Sequence, residues 1–320
     1  MIIQNAPAKI TRTPKDVTTH ASPNRHDCQQ SVPTMNNGNA ARIALSLLAL
    51  LGASFLLLPV IGLLAHISPA SVGSALTSGG LPALAVSLQT TAIAMTVIII
   101  VGTPLGWLLA RRRGPLWRTV EFLMFIPLLL PPLVIGLLLV YFYGPYGPLG
   151  EALSRFQLSA SNNLLAITIA EIYESMPYYV FAAQAAFSQV DVRLERASLA
   201  LGQPPAVTFR RVTLPLSAPG LSVGLAMAFA RSLGAFGAVI VVAYDPHTLP
   251  VAIWIALEEQ GLPGALPLAF ILLMAALPLP LLTVLLRRRL TRGIFADADA
   301  NEDADANADA NADADGTHLP

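Results

Sequence analysis

Six apolar runs restrict what this chain can fold into: Ile43–Ala65, Ser87–Ala110, Val120–Tyr143, Leu164–Phe187, Gly220–Ala243 and Ala265–Leu286. Each exceeds the ~20 residues that carry a helix across a hydrocarbon core. Buried helices of soluble proteins rarely need six uninterrupted runs of this length. Charged residues make up only 12% of the chain and mean hydropathy is +0.62, whereas a soluble domain is about 25% charged. The sequence therefore predicts an all-α, polytopic membrane protein with six transmembrane helices.

A net charge of zero conceals a division along the chain. Residues Ala296–Pro320 hold eight acids and no Lys or Arg, which leaves 19 basic against 11 acidic residues elsewhere. Basic residues in short loops stay on the cytoplasmic side. Arg111, Arg112, Arg113 and Arg118 lie between the second and third runs. Arg193, Arg196, Arg210 and Arg211 lie between the fourth and fifth, and Arg287, Arg288, Arg289 and Arg292 follow the sixth. The three opposite segments, 66–86, 144–163 and 244–264, contain a single basic residue, Arg155. Both termini are expected in the cytoplasm.

Residues 1–42 lack an apolar signal core and are expected to be a disordered cytoplasmic extension, which holds the one cysteine, Cys28. The membrane-embedded body is expected to span 43–290. The tail, 291–320, repeats Ala-Asp and Ala-Asn without an apolar face. Such a segment cannot bury enough surface to offset its ordering entropy.

Several chemistries are excluded. A P-loop needs a lysine after its glycines to reach the phosphates, and the only lysines are Lys9 and Lys15, both in the N-terminal extension. The histidines, His20, His26, His66, His247 and His318, lie outside the apolar runs or at their edges, and no HExxH motif is present. No catalytic residue, metal ligand or cofactor is expected, and no nucleic-acid partner. Transport is the reading that survives.

The loop from Ser188 to Pro219 is long and patterned. Leu194, Ala197 and Leu201 share one face of a short predicted helix. Gly202 suits its end, where a left-handed residue is easily accommodated. Pro204 and Pro205 suit the first turn of a second helix, in which their missing N–H groups would be unpaired anyway. Val207, Phe209, Val212 and Leu214 give that helix an apolar side, and Pro215 is expected to close it. The outcome is a helix–turn–helix on the cytoplasmic surface, apolar enough to need a partner.

This loop resembles the cytoplasmic signature of the permease subunits of binding-protein-dependent ABC importers: a Glu-Ala-Ala start, a Gly after the first helix, and a Leu-Pro about a dozen residues beyond. Glu195, Ala197, Gly202, Phe209, Leu214 and Pro215 match it, and Arg196 departs where Ala is usual. The resemblance implies that the loop docks on a separate ATP-binding subunit. Two ATPase copies would serve two permeases, as a homodimer or with a sister permease, in the plasma (inner) membrane and its lipid, with an extracytoplasmic substrate-binding protein delivering cargo.

Three further segments resemble the molybdate, tungstate and sulfate branch of that family: Trp107–Arg113, Ile126–Leu133 and Phe229–Gly237. The likeness covers about 85–290. Pro131 and Pro132, together with Pro127, interrupt the third run, which is tolerable at membrane depth only against protein or a wet cavity. Gly234 and Gly237 in the fifth run allow either close helix approach or a path lining. Arg231 lies deep in the same run, where a charge costs at least ~2.5 kcal/mol on insertion scales. The family usually places Glu four residues after this arginine; here that position is Ala235. Glu171 and Glu174 of the fourth run lie at matching depth, and Glu174 is the expected replacement partner. Two alternatives stand beside the oxyanion permease: an ABC permease for iron, phosphonate or an organic solute, and a secondary transporter using Glu171, Glu174 and Arg231 as a proton relay.

Overall fold

The computed structural model describes residues 37–156 and 160–285, apart from the side chains of 37–41, 153 and 154. The acidic tail, the arginines after the sixth run and most of the N-terminal extension lie outside these residues. All regular structure among the described residues is helical. The chain divides into two compact units at Leu58/Pro59.

Helix α1 (Asn37–His66) begins inside the segment expected to be unstructured. Up to Leu58 its apolar side chains stand exposed, Leu45, Leu51 and Phe55 among them. A helix that is apolar all round belongs in a membrane or a large core.

The second unit is built around one helix, α7 (Leu164–Gln189), which Asn163 caps by accepting the Ala166 N–H at 2.9 Å. Helix α3 (Leu81–Arg111) packs along α7 in parallel, with Gly102 against Tyr179 and Gly106 against Ala183. Helix α10 (Leu214–Leu233) packs antiparallel to it, with Gly220 on Ala186 and Gly224 on Ala182. A Cβ at Gly220 would sit 2.5 Å from that of Ala186, so only glycine permits this backbone approach. Lipid supplies no hydrophobic drive between helices, and small residues at the seam provide the van der Waals contact instead.

Two of the expected spans are broken. The run Val120–Tyr143 is not one helix: α4 (Pro115–Leu129) and α5 (Pro132–Tyr143) meet at 115°. Leu130 and Pro131 are extended there, because a residue before proline avoids the helical region and two successive prolines donate no main-chain bond. The run Gly220–Ala243 also divides. Helix α10 starts earlier, at Leu214, and stops at Leu233; after Gly234–Phe236 a short helix, α11 (Gly237–Val242), follows. The breaks are complementary, since Gly237 seats on Pro132 and Gly136 seats on Ala238 and Val241.

The opposite end from the arginine clusters is also more ordered than a loop reading allows. Helix α2 (Pro69–Ala75) leads through a π-turn, Leu76–Gly80, into α3. Helix α6 (Pro148–Ser154) follows α5. Segment 244–264, expected as a loop, contains α12 (Leu249–Gln260), which turns at Gly261 into α13 (Leu262–Ala276). The buried Ser87 hydroxyl accepts the Leu249 N–H at 2.8 Å and so caps α12 from α3. Twelve residues rise only ~18 Å, too short to cross.

Among the described residues four stretches are long and apolar enough to span: Arg42–His66, Pro69–Arg111, Pro205–Leu233 and Leu262–Leu285. The bent α4–α5 pair makes a fifth.

Candidate functional site

Two polar assemblies interrupt this apolar framework, one at the arginine-rich end and one at the middle of α7. The first is the expected helix–turn–helix. Helix α8 (Val192–Ala200) starts at Asp191, whose carboxylate accepts the Arg193 N–H at 2.8 Å. Gly202 follows at φ +80 with open space around it, a left-handed residue as the motif requires. Pro204 caps and Pro205 opens α9 (Pro205–Thr208), and a π-turn, Phe209–Thr213, leads into α10. Pro215 does not close this segment. It occupies the first turn of α10, where its missing N–H is harmless, so the loop's second helix runs directly into the membrane helix.

The motif residues divide by exposure. Leu194, Ala197 and Leu201 are exposed, Leu201 at 82%, which leaves an apolar ridge uncovered. Phe209 and Leu214 turn inward: the Phe209 ring lies 6.0 Å from Phe187 and 6.1 Å from Trp107. Glu195 faces inward as well. Its Oε1 accepts from Arg111 Nη2 at 2.8 Å and from the Thr213 hydroxyl at 2.8 Å, and Arg111 also donates to the Val190 carbonyl at 3.2 Å. With its side chain only 14% exposed, Glu195 ties α8 to the end of α3 and the start of α10.

The second assembly lies ~15 Å along α7 from Leu164, counting 1.5 Å per residue. Glu171 is buried and accepts from Thr90 of α3 at 2.8 Å and from Ser232 of α10 at 3.1 Å. One turn on, Glu174 Oε2 lies 2.9 Å from Arg231 Nη2. The guanidinium meets the carboxylate at ion-pair distance but without hydrogen-bond alignment, and the Ala238 N–H of α11 approaches the same carboxylate, also out of alignment. The Thr91 hydroxyl also turns toward Glu171, out of alignment, and Ser175, next to Glu174 in the chain, buries a hydroxyl with no aligned partner among the described residues.

Arg231 occupies the last turn of α10, where the helix C-terminus favours a cation. Gly234 ends the helix there, with φ −89 and ψ 7. Ala235 is therefore not one helical turn ahead of Arg231; it is buried with Ala170 and Ile167. Pro131, Pro132 and Gly237 form the neighbouring double break.

A separate cavity of about 470 Å3 opens at the opposite end from the arginines, between the π-turn, α12 and α13, with Ser74, Ser78, Asp245, His247 and Glu259 on its walls. No cluster of His, Cys, Asp and Glu among the described residues could hold a metal ion.

The sequence alone gives no sign of the roles that Arg111, Thr213, Thr90 and Ser232 take here. Arg111 was indistinguishable from its neighbours in an Arg-Arg-Arg run, and hydroxyls at membrane depth gave no signal until a carboxylate was placed beside them.

The chain has counterparts among known proteins. Residues 102–294 match the family described as binding-protein-dependent transport system inner membrane component. A probable molybdenum ABC transporter permease protein of Haloferax volcanii is 36% identical, over 68% of this chain and 80% of its own length. The molybdenum transport system permease protein ModB of Mycobacterium tuberculosis is 33% identical over 65% of this chain and 80% of its own. A sulfate transport system permease protein, CysT of Salmonella typhimurium, is 33% identical over 55% and 65%. Among solved structures, a bacterial alginate ABC transporter in complex with an alginate-bound periplasmic protein aligns with TM-score 0.60 at 18% identity, covering 81% of this chain and 98% of that one. The MetNI methionine ABC transporter aligns at 0.53 and 17%, covering 70% and 99%; these two likenesses establish the fold. The chain belongs to the family of binding-protein-dependent transport system inner membrane components. It is a membrane-embedded permease.

Proposed function

We propose that this chain is the permease subunit of an ATP-driven importer of small oxyanions, with molybdate or tungstate the first cargo and sulfate the next. The curated relatives above are named for molybdenum and sulfate transport, which supports the cargo class. One observation of the molecule carries the reading furthest: an uncovered apolar ridge, Leu194–Ala197–Leu201, on a helix fixed from behind by Glu195. A ridge of this kind suits a groove on an ATP-binding subunit, and a proton-coupled carrier has no use for it.

In this reading two copies of the ATPase act on two permeases, as a homodimer or with a sister chain, and hydrolysis takes place in the ATPase. An extracytoplasmic binding protein delivers the anion. The chain crosses six times with both ends in the cytoplasm: α7 adds a sixth crossing to the five apolar ones, its lower hydropathy reflecting Glu171 and Glu174. The acidic tail is dispensable for transport in this reading.

The decisive test reconstitutes the permease with an ATPase and a binding protein encoded beside it, and follows ATP-dependent uptake of labelled molybdate, tungstate and sulfate. Uptake of at least one of these, competed by the others, is expected. Uptake of none, with an iron complex, phosphonate or organic solute accumulating instead, would overturn the cargo assignment.

A further inference from the structure

The geometry points to Arg231 as an oxyanion contact inside the membrane, with Glu174 as its resting counter-ion, a carboxylate that holds the place of the cargo and is displaced by it. This rests on the oxyanion-permease reading and assigns a site within it.

Three independent observations converge on the assignment. The first concerns the arginine's open side. Exposed positions on α10 recur at Val223, Met227, Ala230 and Gly234, one stripe at helical spacing. Arg231 borders that stripe with 27% of its side chain exposed. A guanidinium at this depth is costly against lipid and belongs beside protein or a water-filled space. The uncovered stripe of α10 is thus the path side of the helix.

The second concerns the backbone. Helix α10 stops at Leu233, two residues beyond Arg231, with Gly234 as its cap, and the α4–α5 break packs on the following α11 through Pro132 and Gly237. Irregular backbone at membrane depth is tolerated where it is buried in protein or lines a wet cavity. Gly234 is exposed, which fits the second case.

The third concerns the quality of the ion pair. Glu174 is fully buried, yet neither of its oxygens has an aligned donor. Glu171, one turn away, has two. Of two buried carboxylates on one helix, the one facing Arg231 is the more loosely held, by the guanidinium charge and by an Ala238 N–H that approaches it without aligned geometry. An oxyanion offers a guanidinium the same planar pairing that a carboxylate does, and a doubly charged one offers more attraction. Arg231 can therefore pass from Glu174 to the anion and back, and Glu174 limits how long the anion stays. Glu171 keeps α3, α7 and α10 in register while this happens.

The test uses the full permease–ATPase complex in lipid nanodiscs, titrated calorimetrically with molybdate in the absence of binding protein. Glu174→Gln frees the guanidinium and should bind molybdate about tenfold more tightly than wild type, equivalent to ~1.4 kcal/mol. In the complete transporter the same variant should turn over more slowly, because release lags. The double variant Arg231→Gln/Glu174→Gln strands no charge and so tests folding separately; it should assemble normally and lose molybdate binding. Equal affinity in all three forms, or tight binding retained by the double variant, overturns the proposal. A wild-type transporter that imports no oxyanion sinks the cargo reading instead, and the two failures are thereby distinguished.

Discussion

Removing the Glu195 carboxylate should uncouple ATP hydrolysis from transport rather than abolish either outright. In Glu195→Ala, Arg111 keeps its bond to the Val190 carbonyl but loses its counter-charge, and the Thr213 hydroxyl loses its acceptor. Breaking a fully buried pair costs about 3–5 kcal/mol. The Arg111 and Glu195 side chains are 13% and 14% exposed, so water recovers part of that and a loss of ~2–3 kcal/mol is expected. This is small against a membrane-embedded helical seam but large against the attachment of α8, a nine-residue helix with no buried residue. The helix should therefore loosen from α3 and α10 while the remainder stays folded. In proteoliposomes with ATPase and binding protein, hydrolysis should persist while anions moved per ATP fall at least tenfold. The exchange Arg111→Glu/Glu195→Arg should recover part of the ratio, since the charges meet again. An unchanged ratio and unchanged thermal stability in Glu195→Ala would refute the argument that this carboxylate links the loop to the membrane helices.

Three further outcomes are expected. At Gly202, φ +80 with open space around it makes the penalty a matter of backbone alone, about 1–2 kcal/mol for a residue that resists the left-handed region. Gly202→Val should therefore lose co-purification with the ATPase, while Gly202→Asn retains most of it; equal retention would count against the turn. Gly220→Leu should lower the detergent melting temperature strongly, because even a Cβ there lies 2.5 Å from Ala186, whereas Gly73→Ala, with nothing within 4 Å, should leave it unchanged. Deleting Ala296–Pro320 should leave uptake near wild type at equal membrane abundance, since the segment has no apolar surface to pack; reduced uptake would identify a regulatory element.

The linear sequence determined the class of the molecule. Long apolar runs need no tertiary context to be recognised, because the bilayer imposes a minimum length on any spanning helix. Helices α1, α3 and α7 accordingly lie where their runs do, and the turn at Gly202 follows from local steric rules acting on a Gly followed by two prolines. The sequence also placed Glu174 and Arg231 at similar depth, since residue count along antiparallel helices converts to height.

Contacts between distant segments decided the rest. Whether Pro131 and Pro132 kink a helix or turn it through 115° depends on what receives the turned segment; here it is Gly237, about a hundred residues on. The stop of α10 at Leu233 is likewise invisible in an unbroken apolar run, because the glycine that follows it fits close helix packing equally well. Glu195 had the correct loop but the opposite orientation from a docking residue. Its direction was set by Arg111 and Thr213, which are 84 and 18 residues away. Hydropathy and helical periodicity report how each segment meets its solvent. The direction in which a buried charge points is fixed by its partner, and only the tertiary structure brings that partner within reach.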